Sequence, residues 1–204
     1  MDIDLSEMTP GQVYFTMTQA LIPRPIAWVL SENANGSHNL APFSYFSAVS
    51  SDPPLIMLSI GRKPGGGPKD TAANIEARKH FVVHIPHCGE IGAVNESAAT
   101  LPAGQSEVEA GGLEVVEFPG SPLPRLAGCR LAMACELHEI QQIGAAPQSL
   151  VFGCVKRIYV DDAVVCPGED GRLKLSAKQL DPLGRLGAGE YAGLGDIINL
   201  ARPR

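Results

Sequence analysis

Asn39-Leu40-Ala41-Pro42-Phe43-Ser44-Tyr45-Phe46-Ser47-Ala48-Val49-Ser50-Ser51-Asp52-Pro53-Pro54-Leu55-Ile56-Met57-Leu58-Ser59-Ile60 holds a strand, a breaker and a second strand in sequence. From Asn39 to Ser50 hydroxyls and aromatics predominate, the composition of an extended, half-buried chain. Asp52-Pro53-Pro54 interrupts it, because proline lacks a backbone donor and fixes φ. Leu55 to Ile60 is a continuous apolar run, short enough for a central strand.

The same reading extends in both directions. Upstream, Ile26-Ala27-Trp28-Val29-Leu30 predicts a buried strand, and Asn35-Gly36 predicts the hairpin that follows it. Downstream, Phe81, Val83 and Ile85 alternate. Leu131, Met133, Cys135 and Leu137 share one parity, with Glu136 and His138 on the other. Leu150 to Val160 is largely apolar apart from Lys156 and Arg157. Helical signals are fewer. Asp70 is a good N-cap for a helix over Thr71 to Lys79, with Ala72, Ile75 and Lys79 on one face. Ile91 to Ala99 predicts a second, short helix. Residues 1–24 carry weak signals, with a turn at Thr9-Pro10-Gly11, and residues 100–125 predict a long polar excursion. The tail beyond Asp181 is Gly-rich, yet Ile197-Ile198-Asn199-Leu200 predicts that it is docked. Six or so strands against two or three short helices favour a β-barrel or sandwich with peripheral helices.

Length and composition agree with one domain. The chain has 204 residues, 45% hydrophobic and 19% charged, enough apolar material for a core. Its 16 Lys and Arg against 22 Asp and Glu give a net charge of −6, with no basic stripe for nucleic acid. No apolar run approaches a membrane span. Met1-Asp2-Ile3-Asp4 starts no signal peptide, and five scattered cysteines without a C-x-x-C suit reduced thiols. The expectation is therefore a cytoplasmic protein without nucleic-acid or membrane partners.

Several chemistries are excluded by spacing. There is no G-x-S-x-G elbow. His84-x-x-His87-Cys88 matches no zinc pattern and lacks a second pair, so no metal site is expected; His84 reads as a strand residue near the surface or a ligand pocket. Gly67-Pro68-Lys69-Asp70 fails the Walker pattern, and Gly187-Ala188-Gly189 reads as a turn. Ser44, Ser47, Ser50 and Ser51 are either polar strand positions or donors to a ligand. A flexible basic loop with Arg62, Lys63 and Lys69 enters the helix carrying Thr71. Amides at a helix start, a lysine and a hydroxyl make a competent phosphate-monoester site. An ordinary solvated loop before a capped helix fits the same residues equally well.

Taken as an ordered set, four motifs carry a resemblance. Pro23-Arg24-Pro25-Ile26-Ala27-Trp28-Val29, Asn39-Leu40-Ala41-Pro42-Phe43-Ser44-Tyr45-Phe46, Asp52-Pro53-Pro54 and Lys69-Asp70-Thr71-x-x-Asn74-Ile75 resemble the flavin reductase-like, FMN-binding split-barrel family. The resemblance implies a mainly β fold, a six-stranded Greek-key split β-barrel with a few peripheral helices. It implies one domain over 1–204, with a barrel core over about residues 20–165 and a C-terminal extension over 166–204. It implies a homodimer with FMN near the subunit interface. Asn39, Leu40, Ala41, Pro42, Phe43 and Ser44 carry over as the strand lining the flavin, with Ser59, Ile60 and Gly61 beside it. Lys69 and Thr71 carry over as contacts to the phosphate or the ring edge, and Asp70 and Asn74 as residues shaping that turn. Trp28 is expected in the core. The glycine expansion at residues 65–67 departs from the family pattern, and His84 stands where a small polar residue such as Asn is expected. The implied activity is hydride transfer from NADH or NADPH to flavin, which needs no acid–base residue. The alternative is a flavoredoxin-type electron carrier, reduced by an electron-transfer protein partner.

Overall fold

Burial on two faces explains the apolar run at residues 26–30. Ala27 and Val29 point into one cluster, Trp28 and Leu30 into another, and all four are fully buried. The computed structural model describes every residue except Ala103, Ala146, Glu169, Asp170, Arg202 and Arg204. In chain order its elements are α1 (Pro10–Ala20), β1 (Arg24–Pro25), β2 (Ala27–Glu32), β3 (His38–Phe43), β4 (Phe46–Ser51), β5 (Pro54–Ile60), α2 (Asp70–Arg78), β6 (His80–His84), α3 (Ile91–Glu96) and α4 (Glu107–Ala110). Then come β7 (Val115–Val116), β8 (Arg125–Leu126), β9 (Leu131–Ile143), β10 (Gln148–Val160), β11 (Val165–Cys166), β12 (Lys174–Leu175), α5 (Ala177–Leu180), β13 (Gly184–Arg185) and β14 (Tyr191–Ala192).

The large sheet runs β3-β2-β6-β9-β10-β5-β4. Its two edges, β3 and β4, are successive pieces of one stretch, separated only by Ser44 and Tyr45. Ser59 N donates to Tyr45 O at 2.8 Å, so the corner is tied to β5 and the sheet curls into a barrel. The fold class expected from sequence is therefore the one found. The sheet has seven strands rather than six because the bend at Ser44–Tyr45 splits the return segment in two.

Inside the barrel, Phe43, Leu58, Ile60, Phe81, Val83 and Val151 pack together, and α2 inserts Ile75 among them. Outside it, Trp28, Leu30, Leu40 and Val82 are covered by residues of the 91–129 excursion, including Val94, Phe118 and Leu126. Trp28 lies in the core as expected; its Nε1 donates to Ser97 Oγ at 2.8 Å just past the end of α3, which is shorter than the expected 91–99 helix.

Four local expectations are corrected. Thr9-Pro10-Gly11 is a helix start, not a plain turn: Thr9 and Gln12 form a reciprocal capping box, with Pro10 opening α1. Asp70 is the first helical residue of α2 rather than its N-cap: the extended residue before the helix is Lys69, and the Asp70 carboxylate pairs with Lys63 instead of capping. His84 is fully buried, not near the surface: its Nδ1 faces Trp28 O at 3.0 Å and its Nε2 accepts from Leu126 N at 2.9 Å. The tail docks only in part: Leu183 is buried and β13 pairs with β1, whereas the apolar segment expected to dock stands out, with Ile198 80% exposed and Leu200 88%.

Candidate functional site

A polar network first fixes the start of α2. Asn39 Nδ2 donates to Thr71 Oγ1 at 2.9 Å and to Ser31 Oγ at 3.3 Å. Asn74 Nδ2 donates to Ser31 Oγ at 3.2 Å and to Asn33 Oδ1 at 2.9 Å. These buried amides and hydroxyls satisfy one another, so α2 is locked against the β2–β3 hairpin. Its first turn then faces a narrow cleft of about 60 Å³, lined by residues including Asn39, Ala41, Lys63, Lys69, Asp70, Thr71 and Glu107.

Beside it lies a cleft of about 750 Å³. The β3–β4 corner, Pro42 to Tyr45, forms one wall, joined by Ser59, Gly61 and Arg62 at the end of β5. Helix α1 supplies Val13, Tyr14 and Met17, α3 and the following turn supply Val94, Asn95 and Ala98, and the β13–β14 ribbon supplies Arg185 and Tyr191. Lys69 and Ala98 line both clefts. Lys69 Nζ sits 5.5 Å from the centre of the Phe43 ring, and the Arg185 guanidinium lies 4.4 Å over Tyr191. Tyr14 and Tyr45 face one another with ring centres 6.2 Å apart; burial, with Tyr14 nearby, raises the Tyr45 pKa, so its hydroxyl stays protonated at neutral pH.

The predicted residues thus divide. Pro42, Phe43, Ser44, Ser59, Gly61 and Lys69 meet around the large cleft, and Asn39, Ala41, Lys69, Asp70 and Thr71 around the small one. The side chains of Leu40, Ile60 and Asn74 line neither: Leu40 and Ile60 are fully buried in the two cores, and Asn74 braces α2 from behind. Sequence reasoning missed α1, Tyr45, Asn95, Gln148, Arg185 and Tyr191 as wall residues. The Thr9-x-x-Gln12 capping pattern was a readable signal for α1; the others come from distant segments with no local signature.

A cleft with aromatic walls that shares a lysine with a second, hydroxyl-lined cleft at a helix start suits a planar ring system with an anionic tail. A sequence model of the flavin reductase-like domain matches residues 18–168, well over half of the chain. The chain belongs to the flavin reductase-like family. It is 35% identical over 208 residues to protein BH2278 of Halalkalibacterium halodurans, covering 100% of this chain and 97% of that one. Among solved structures it resembles nitrilotriacetate monooxygenase component B from Bacillus cereus, with TM-score 0.90, 36% identity and 98% of each chain covered. It also resembles 2-nitrobenzoate 2-nitroreductase of Pseudomonas fluorescens, with TM-score 0.86 and 29% identity, covering 100% of this chain and 96% of that one. Family membership makes this a flavin-binding, split-barrel oxidoreductase domain. Among the described residues no helix is long and apolar enough to cross a membrane.

Proposed function

We propose that the chain is an FMN-dependent flavin reductase that takes hydride from NADH or NADPH. The observation that carries this reading is the junction of the two clefts at Lys69. Lys69 lines both the aromatic-walled cleft and the narrow one, which Asp70 and Thr71 at the start of α2 also line. When bound, FMN supplies the hydride acceptor of the reaction. The chain positions it: Phe43 and the β3–β4 corner give a rigid wall, because β3 and β4 are each paired in the sheet. Lys69 supplies positive charge at the anionic end, and Arg62 and Arg185 add charge at the cleft wall. Among its described lining residues the large cleft has no carboxylate and no imidazole, which fits a step in which no protein group moves a proton.

Titration of apoprotein with FMN and with riboflavin tests the site. Lys69→Ala should weaken FMN by about ten- to a hundredfold, the worth of a charge-assisted hydrogen bond, and leave riboflavin nearly unchanged. Equal loss for both ligands moves Lys69 to the ring, and loss for neither removes it from the site. Stopped-flow mixing with NADH and NADPH tests the donor. Rapid bleaching by one of them supports a reductase; bleaching by neither points to a protein electron donor, as in a flavoredoxin-type carrier.

The homodimer is proposed on a separate observation. Leu194, Ile197, Ile198 and Leu200 are each at least half exposed, and α1 exposes Tyr14 and Phe15. Residues 8–23 hold no charged side chain, so the exposed part of α1 is uncharged as well as apolar. Light scattering should return the mass of two chains, and Ile198→Asp with Leu200→Asp should shift it toward one. A wild-type monomer at micromolar concentration contradicts the dimer.

A further inference from the structure

The glycine expansion at residues 65–67 is ordered by its own backbone. Lys63 N donates to Gly67 O at 2.8 Å, Gly66 N donates to Lys63 O at 2.9 Å, and Arg62 pairs with Pro68. Gly65 and Gly66 have φ of +94° and +97°, which an L side chain rarely adopts, although a Cβ at either would touch nothing within 4 Å. The glycines are therefore required by conformation, not by space. Their effect is to reverse the chain so that Lys63 Nζ reaches Asp70 Oδ1 at 2.6 Å.

That pair stands about one third exposed, where an ion pair adds little to folding. Its place is what matters. Asp70 and Glu107 both line the narrow cleft, so an anion entering it meets two carboxylates. Glu107 Oε2 is already engaged, accepting from Leu40 N at 2.9 Å. Asp70 stands at the positive end of α2, where an anion would also sit, and a bare carboxylate there competes with it. Lys69, by contrast, makes no ion pair among the described residues and is left to face the cleft.

We propose that Lys63, delivered by the glycine loop, is a positioning residue that neutralises Asp70, so that the phosphate of the cofactor meets Lys69 and the α2 amides rather than an unscreened carboxylate. The role rests on the FMN reading above. It acts through Asp70 and predicts coupling between the two residues, which a direct phosphate contact does not.

The test is a double-mutant cycle on the full chain, titrated with FMN and riboflavin at low salt. Lys63→Ala should weaken FMN by about tenfold, from a like charge left a few ångströms from the phosphate. Asp70→Asn alone should change it by no more than about twofold, and the double variant should return to the Asp70→Asn value. Riboflavin should bind all four proteins alike. Gly66→Ala, which displaces the loop without removing the lysine, should weaken FMN in the same way and be rescued by Asp70→Asn. A double variant as weak as Lys63→Ala makes Lys63 a direct ligand and overturns the proposal; so does additive behaviour, or no effect of Lys63→Ala. Failure of the wild-type chain to bind FMN instead overturns the reading of the cleft itself.

Discussion

Arg24→Ala should release helix α1 and destabilise the chain by about 2–4 kcal/mol, the cost of leaving carbonyls held by a buried cation without their donor. Arg24 is 8% exposed, and its guanidinium works as a three-way tie. Its Nη1 donates to Thr18 O and, at 2.6 Å, to Leu21 O; its Nη2 donates to Leu186 O at 2.8 Å; its Nε donates to Ser44 Oγ at 3.3 Å. It thus joins the end of α1, the β13–β14 turn and the barrel corner that lines the large cleft. Thr18 is the one buried residue within α1, so little apolar packing holds the helix in its absence. A Cβ on Gly187 would fall 2.5 Å from Gln19 Cγ, which shows how closely α1 rests on that turn. Arg24→Lys should also lose stability, because an ammonium cannot span three carbonyls as a planar fork does. Urea denaturation measures the loss, and limited proteolysis near residues 9–22 shows where it falls. The same variants should bind FMN more weakly, since α1 is a cleft wall. A proteolysis pattern and urea midpoint unchanged from wild type would refute the role of Arg24 as the tie.

Acid should weaken the fold through His84 by about 3 kcal/mol between pH 6.5 and pH 4. Burial, aided by the neighbouring Arg125 cation, lowers the His84 pKa from 6.5 to about 4, against an opposing hydrogen bond to Trp28 O. The carbonyl can only accept, so Nδ1 carries the proton and Nε2 is left to accept from Leu126 N–H. A second proton removes that acceptor. The unfolded chain binds a proton below pH 6.5 and the folded chain does not until about pH 4, so stability is complete above 6.5 and declines as pH falls through this window. Glu107, whose pKa is raised chiefly by burial, contributes with the opposite sign. The comparison is therefore between wild type and His84→Gln. The variant should be less stable at neutral pH, with a shallower acid slope over the same range. Equal slopes would remove His84 as the cause.

Much of the barrel was legible because its strands are local in sequence. Leu55–Ile60 and Ile26–Leu30 are apolar at every or nearly every position; residues 26–30 are buried on both faces, while β5 alternates buried Ile56, Leu58 and Ile60 with partly buried Leu55, Met57 and Ser59. The bend at Ser44–Tyr45 was not legible: nothing in Asn39 to Ser51 marks it, and it exists because β3 must pair with β2 while β4 pairs with β5. Helix α1 has its capping box in plain view, yet its apolar residues mostly face the cleft and solvent, so it lacks the stripe that marks a core helix.

The candidate site divides along the same line. Lys69 and Thr71 were candidates from their own short segment, because helix-start chemistry is written in neighbouring residues, whereas Pro42 and Phe43 entered only through the resemblance that the ordered motifs carry. By itself the sequence determined the β class, the family, the lysine before α2 and the lack of any local acid–base constellation. Only the tertiary structure decided that Asn39 and Asn74 brace α2, that Arg24 ties α1 to Leu186, and that Lys63 belongs to Asp70. It also decided that His84 is an acceptor buried in the core. The reason is physical: each of these roles is a hydrogen bond or ion pair whose geometry exists only after the backbone has closed, and a single side chain's chemistry does not name its partner.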